Sequence, residues 1–234
     1  MHHLPAPWSA APERPRLEQT QIHLWRFHLD LPAAEISQLE RLLTEDELIR
    51  AKRLLDPRKS RSFVAARGRL RQILADYLEV PAETIRFSYE SSGKPKLATV
   101  HASDLSFNLA HSGKMAVLGI GKGQGVGVDL ERIDPELAFD QMAAQFFSAA
   151  EFSCLSNLAG LRRRRGFYRI WTGKEAWLKS QGWGFSGPTD QRNLPGGIPA
   201  GPGWKLIHFP LARGYVGAVA FSETVTEILR FDRF

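Results

Sequence analysis

RSFVAARGRLRQILA (61–75) and RGFYRIWTGKEAWLK (165–179) overlay without a gap, sharing an arginine, a phenylalanine and a leucine position. Both have helical spacing. Phe63, Ala66, Leu70, Leu74 and Tyr77 recur on one face of a helix over 60–79. Trp171, Glu175, Leu178 and Lys179 share a stripe of a second helix over 166–181. Working outward, each helix sits in a similar run of strand, helices, then antiparallel strands. The first run opens with the alternating IHLWRFHL (22–29) and a capping box, Thr44 with Glu47, that starts a helix through Leu55. Strands follow at 85–90, 105–110 and 115–121, with the SSGKPK turn between the first two. The second run opens with GVGVDLERI (125–133). Helices near 135–147 and 148–159 lead into the second long helix. A Pro- and Gly-rich loop (188–203) and the strands KLIHFPL, YVGAVAFS and TEILRF close the chain. Parallel βαβ alternation is absent, so the class is α+β: two similar halves, each a small, mostly antiparallel sheet packed with helices. The boundaries read as a loose tail over 1–19, an N-terminal half over 20–122, and a C-terminal half over 123–234 entered through the GKGQG hinge.

Composition narrows the function classes. Hydrophobic content of 43% and charged content of 24% are those of a soluble globular protein. One cysteine, Cys154, excludes an intramolecular disulfide framework and a cysteine-built zinc site. No apolar run is long enough for a membrane span, and the proline-rich start has no signal-peptide core, so a cytoplasmic protein is expected. A net charge of +6 biases partners toward polyanions: nucleic acid, phosphorylated cofactors or acidic proteins.

Chemistry concentrates in three places. In GVGVDLERI the strand period puts Val126, Val128 and Leu130 on one face and Gly127, Asp129 and Glu131 on the other. Adjacent carboxylates repel unless a cation or proton sits between them. A solvated strand face is the plainer reading of any lone D-x-E. With Glu175, however, three carboxylates are available with no His or Cys beside them, and an all-oxygen set favours Mg²⁺. Lys94, in the SSGKPK turn, and His111, expected in a tight turn after the strand FNLA, are candidate phosphate contacts, with Arg50 a further one. The Gly-rich GKGQGVG is neither a Walker loop nor a dinucleotide fingerprint. A carboxylate trio with basic patches also fits a Mg²⁺-dependent nuclease or phosphoesterase, or a nucleic-acid-binding protein. That alternative leaves the histidine and the GKP turn unexplained.

SGKPKL (92–97), FNLAHS (107–112), GVDLERI (127–133), FFSAAEFSCL (146–155) and WTGKEAWLKSQGWG (171–184), in that order, make the chain resemble the Sfp-type 4′-phosphopantetheinyl transferases over most of its length. The resemblance implies a monomer of two halves related by pseudo-twofold symmetry, with the active site between them. Its activity would be transfer of the 4′-phosphopantetheine arm of coenzyme A to a serine of an acyl or peptidyl carrier protein, releasing 3′,5′-ADP. By motif, Asp129, Glu131 and Glu175 would hold Mg²⁺ on the pyrophosphate. Lys94, His111 and Arg50 would hold coenzyme A phosphates. Ala110 stands where a serine is common. Glu175 would be the base for the serine hydroxyl, and Lys179, one turn on, would face the departing phosphate and contact the cofactor. Glu151 reads as structural support. Arg162 to Arg165 offer a basic rim that an acidic carrier protein would meet near Glu175.

Overall fold

A computed structural model describes residues 7–91, 93–123, 125–182 and 203–233. Ser92, Gln124, the last two residues of the Gly-Trp-Gly stretch (182–184) and the 188–202 part of the expected loop lie outside them. The elements run β1 (Ser9–Ala10), β2 (Gln21–His28), α1 (Ala33–Glu40), α2 (Glu45–Lys52), α3 (Pro57–Leu78), β3 (Phe87–Tyr89), β4 (Pro95–Leu97), β5 (Leu105–Ser112) and β6 (Met115–Lys122). Then come β7 (Val126–Arg132), α4 (Asp140–Phe146), α5 (Ala149–Ser156), α6 (Gly160–Ser180), β8 (Trp204–Phe209), β9 (Tyr215–Ser222) and β10 (Glu227–Asp232). The class is α+β.

The likeness of the halves extends to topology. In the first, β2, β6 and β5 form an antiparallel ladder in that order; in the second, β7, β9 and β8 do the same. Two short helices and one long one precede the last two strands each time. The gap-free register of the long helices also carries the capping box Thr44/Glu47 onto Ser148/Glu151. Each capping glutamate then meets cations of its long helix: Glu47 pairs with Arg67 and Arg71, and Glu151 with Lys174. The chemistry is not duplicated. In the same register Trp25, Phe27 and Arg71 stand where the second half has Asp129, Glu131 and Glu175.

Strand alternation builds the layers. Trp25 and Phe27 of β2, with Ala116, Leu118 and Ile120 of β6, face a core closed by Ile36 and Leu39 of α1 and Val64, Leu70, Ile73 and Leu74 of α3. The opposite face of that sheet offers Ile22, Leu24, Met115 and Val117. These share an apolar layer with Val126, Val128 and Leu130 of β7 and Val219 and Phe221 of β9. The outer face of the second sheet is covered by α6, through Ala176 against Ala218 and Ala220. The order is therefore helices, sheet, sheet, helix, with the two halves joined by buried apolar surface.

Among the details that differ from the sequence reading, three bear on how the halves and the site are put together. TEILRF does not extend the second sheet: β10 runs parallel to β2 in the first sheet, and β1 pairs parallel to its outer edge. The segment read as a loose tail is tied down from residue 8, where the Trp8 indole donates to the Pro210 carbonyl and packs edge-on against Phe209. Finally, β5 continues to Ser112, so His111 is a strand residue paired with Ala116 and not a turn residue. The turn is Gly113-Lys114, a two-residue hairpin loop whose first position, at φ +57°, suits glycine.

Candidate active site

The face of β7 that carries Gly127, Asp129 and Glu131 lies under α6. Gly127 makes this possible, because a Cβ there would collide with the Ala176 carbonyl and the Ser180 backbone. The close approach brings the last turns of α6 onto the carboxylates. The Lys179 ammonium donates to Asp129 Oδ1 at 2.6 Å. Asp129 is 5% exposed and Glu175 8% exposed, so both carboxylates are desolvated. Asp129 Oδ2 is buried with no hydrogen-bond partner among the described residues.

Electrostatics follows from this burial. The Glu175 carboxyl is raised to about 7, first by desolvation; Lys179 opposes the rise, while Asp129 and Glu131 add to it. Asp129 and Glu131 are also raised, again chiefly by burial. The three carboxylates thus feel one another. Among the described residues, no three His, Cys, Asp or Glu side chains converge closely enough to ligate one ion. The positive charge among them is Lys179.

The first half supplies the other wall. The Ser112 hydroxyl at the end of β5 donates to Glu131 Oε2 at 2.7 Å and accepts from the Arg132 amide at 3.0 Å. Asn108, on the same face of β5, accepts from the Val128 amide at 2.8 Å and so pins β5 across β7. His111 is open to solvent at its surface, and desolvation by the surrounding protein, then the Lys179 ammonium, holds its pKa below the ordinary value. The Lys94 ammonium donates to the carbonyls of Lys179 at 2.6 Å and Val126 at 3.4 Å, holding the end of α6 to the start of β7. Burial lowers the Lys94 pKa. Arg50 is an exposed residue of α2 whose guanidinium lies over Phe63; no described contact brings it to the carboxylates.

The cluster sits between two clefts. One, of about 420 Å³, is lined by Lys94, Lys96, Ser106, Gly125 and Gln181. The other, of about 490 Å³, is lined by Ser112, Glu131, Arg132, Tyr168 and Trp171. Trp171 is seated against Phe146 and Phe167, which anchors the helix beside Glu175.

Glu151 is structural: its Oε2 accepts from the Ser148 amide and the Lys174 ammonium, both at 2.8 Å. Two of the four arginines expected to form a rim are also committed. Arg163 pairs with Asp140, and Arg164 donates to the carbonyls of Asp134 and Leu137. Ser112, Asn108 and Lys174 are the residues that sequence reasoning passed over. Asn108 carried a legible signal, being a polar residue in an otherwise apolar alternation.

Comparison with known proteins agrees with this two-half construction. A model described as "4′-phosphopantetheinyl transferase, N-terminal" matches residues 30–121, and one for the 4′-phosphopantetheinyl transferase superfamily matches 125–197. The 4′-phosphopantetheinyl transferase HetI of Nostoc is 36% identical over 91% of this chain and 92% of its own. A putative 4′-phosphopantetheinyl transferase of Synechocystis is 34% identical over 73% of this chain and 69% of its own. The transferase Sfp of Bacillus subtilis is 29% identical over 65% and 71%. This chain belongs to the 4′-phosphopantetheinyl transferase family.

Proposed function

We propose that this chain converts apo carrier proteins to the holo form, moving the 4′-phosphopantetheine arm of coenzyme A to a carrier serine, and that Asp129, Glu131 and Glu175, which with Lys179 on Asp129 do not yet converge on one point, would close on Mg²⁺ when it binds. The serine oxygen forms a bond to the β-phosphorus of coenzyme A, the bond from that phosphorus to the bridging oxygen breaks, and 3′,5′-ADP leaves. The serine proton passes to Glu175. Lys179 faces the charge that develops on the leaving nucleotide, while His111, Lys94 and Arg50 serve the coenzyme A phosphates. Ser112 orients Glu131. When bound, Mg²⁺ neutralises the pyrophosphate and the charge of the leaving group.

The observation that carries the metal reading is Asp129: a buried carboxylate with one oxygen on Lys179 and the other without a hydrogen-bond partner among the described residues, beside two further raised carboxylates. An all-oxygen donor set suits a hard cation. The same reading has the chain work as a cytoplasmic monomer, divided near residues 122 and 123, with no nucleic-acid partner. No helix of the described residues is long and apolar enough to cross a membrane. Neither family model and none of the relatives above is a nuclease, and no observation favours that alternative.

The test is Asp129→Ala. Transfer should be abolished and Mn²⁺ binding, read by electron paramagnetic resonance, lost, while circular dichroism stays native. Near-normal turnover of the folded variant at limiting Mg²⁺ would overturn the assignment.

A further inference from the structure

Along α6 one stripe runs Arg162, Arg165, Arg169, Gly173, Ala176, Ser180, at spacings of three or four residues. The small half of this stripe is buried on the second sheet. Its arginine half overhangs the sheet edge, with all three arginines exposed. Beneath the overhang lie two adjoining cavities, of about 320 and 650 Å³, which share Arg165, Arg169 and His208 as lining. They form one groove, bounded by α5, α6, β8 and the turn after β8. The His208 Nε2–H donates to the Arg169 carbonyl at 2.8 Å, so the groove floor is fixed.

The chemistry of this groove is one-sided. Arg162, Arg165, Arg169 and Arg213 line it, and no carboxylate does among the described residues. Unlike Arg163, which pairs with Asp140, and Arg164, which donates to two carbonyls, these arginines have no ion pair among those residues. The facing wall is aliphatic: Leu155, Leu158, Ile170 and Leu206, with Leu158 37% exposed; Leu161, at the first turn of α6, is 82% exposed. Leu158 and Leu161, left in water beside these cations, are costly features to maintain unless something covers them.

We propose that this groove docks an acidic amphipathic helix of a partner protein, at a surface separate from the carboxylate cluster. The three arginines repeat over about 10 Å, two helical turns, which matches carboxylates spaced three or four apart on a second helix. Leucine-type side chains on the same helix would fill the aliphatic wall. A nucleic acid would satisfy the charge but would leave that wall uncovered, since the leucines offer no face for base stacking. The inference does not depend on the transfer reaction, because no groove residue belongs to the proposed catalytic or cofactor-binding set.

The experiment uses the full chain and a fluorescent synthetic peptide with glutamates on one helical face and leucines on the other. Binding is followed by anisotropy. The expected result is saturable binding that weakens with salt, and about a tenfold or greater rise in Kd for Arg165→Glu/Arg169→Glu. Leu158→Ser, which removes apolar surface without adding charge, should weaken binding separately without changing the salt slope, and thermal denaturation should show both variants folded. A peptide of the same composition but scrambled face should bind poorly. Equal binding of the scrambled peptide, or no effect of the double variant, would overturn the proposal. Tighter capture of single-stranded DNA or phosphatidylglycerol vesicles at the same arginines would overturn it in favour of those occupants. Self-association of the chain that the double variant abolishes would mean a second copy fills the groove.

Discussion

At the scale of the residue, Lys179 carries two roles that the geometry makes compatible. Its ammonium holds Asp129 in the free protein, and in the proposed reaction it would face the charge that develops on the leaving phosphate, one turn from Glu175. A cation that acts mainly on developing charge is missed in kcat more than in KM. Lys179→Met should lower kcat by roughly 10²–10³-fold, as steady-state kinetics with coenzyme A and a carrier protein would read. A change confined to KM for coenzyme A would recast it as a binding residue. A different residue makes part of the stability depend on pH. His23 is buried, with Nδ1 at 2.6 Å from the Tyr77 hydroxyl and Nε2 without a partner, and burial lowers its pKa from 6.5 to about 4. The unfolded chain therefore takes up this proton first as pH falls. Stability should be whole above about 6.5 and decline down to about pH 4, by about 3 kcal/mol at most. Urea titrations of the parent and His23→Phe should differ in slope across that window alone. The carboxylates and Lys179 were legible because their spacing is local. Ser112 was not, since its partner Glu131 lies across the junction of two sheets and nothing in FNLAHS announces it.

At the scale of the element, the long helices repay comparison. Both α3 and α6 meet a buried capping glutamate, but α3 answers Glu47 with two arginines whereas α6 answers Glu151 with Lys174 alone. The second arrangement has less redundancy. Lys174→Met should leave Glu151 buried and unpaired, costing about 3–5 kcal/mol in urea unfolding. Adding Glu151→Gln, which keeps an acceptor for the Ser148 amide, should restore part of that loss. No recovery in the double variant would mean the Lys174 stem, not its charge, does the packing. The arginine run splits in the same way. Arg163 and Arg164 fasten the start of α6 to residues 134–140, so replacing both with serine should lower the melting temperature rather than act on a docked partner. Helix periodicity marked α6 correctly from 166 onward. Its first turns were missed because Gly160 to Arg165 show no apolar face, their stripe being the arginines of the overhang.

At the scale of the molecule, the proposed catalytic face exists only because two sheets share an apolar layer. Asp129, Glu131, Glu175 and Lys179 come from the second half, while Ser112, His111 and Lys94 come from the first; Asn108 ties β5 across β7 between them. Local pattern made the duplication readable, because each half repeats its own strand, cap and helix order. It could not reveal that the last strand crosses over. TEILRF alternates like any half-buried strand, and its partner β2 is some two hundred residues away, so pairing was decided by which sheet edge lay open. The crossover has a mechanical consequence. β10 covers the edge of β2 and seats Phe231 against Trp25 and His23, while its own outer edge is covered by β1. Together they strap the second half to the first by main-chain hydrogen bonds in addition to the shared core. The full chain should therefore unfold in one step, with coincident fluorescence and circular dichroism transitions. Truncation after Ser222 should expose the β2 edge and uncover Trp25, so that both halves lose cooperative unfolding and the product self-associates in gel filtration. Retention of a native, monomeric first half by the truncated chain would show instead that helices α1 to α3 and strands β2, β5 and β6 suffice for their own core, and that the strap serves only to hold the carboxylate wall in place.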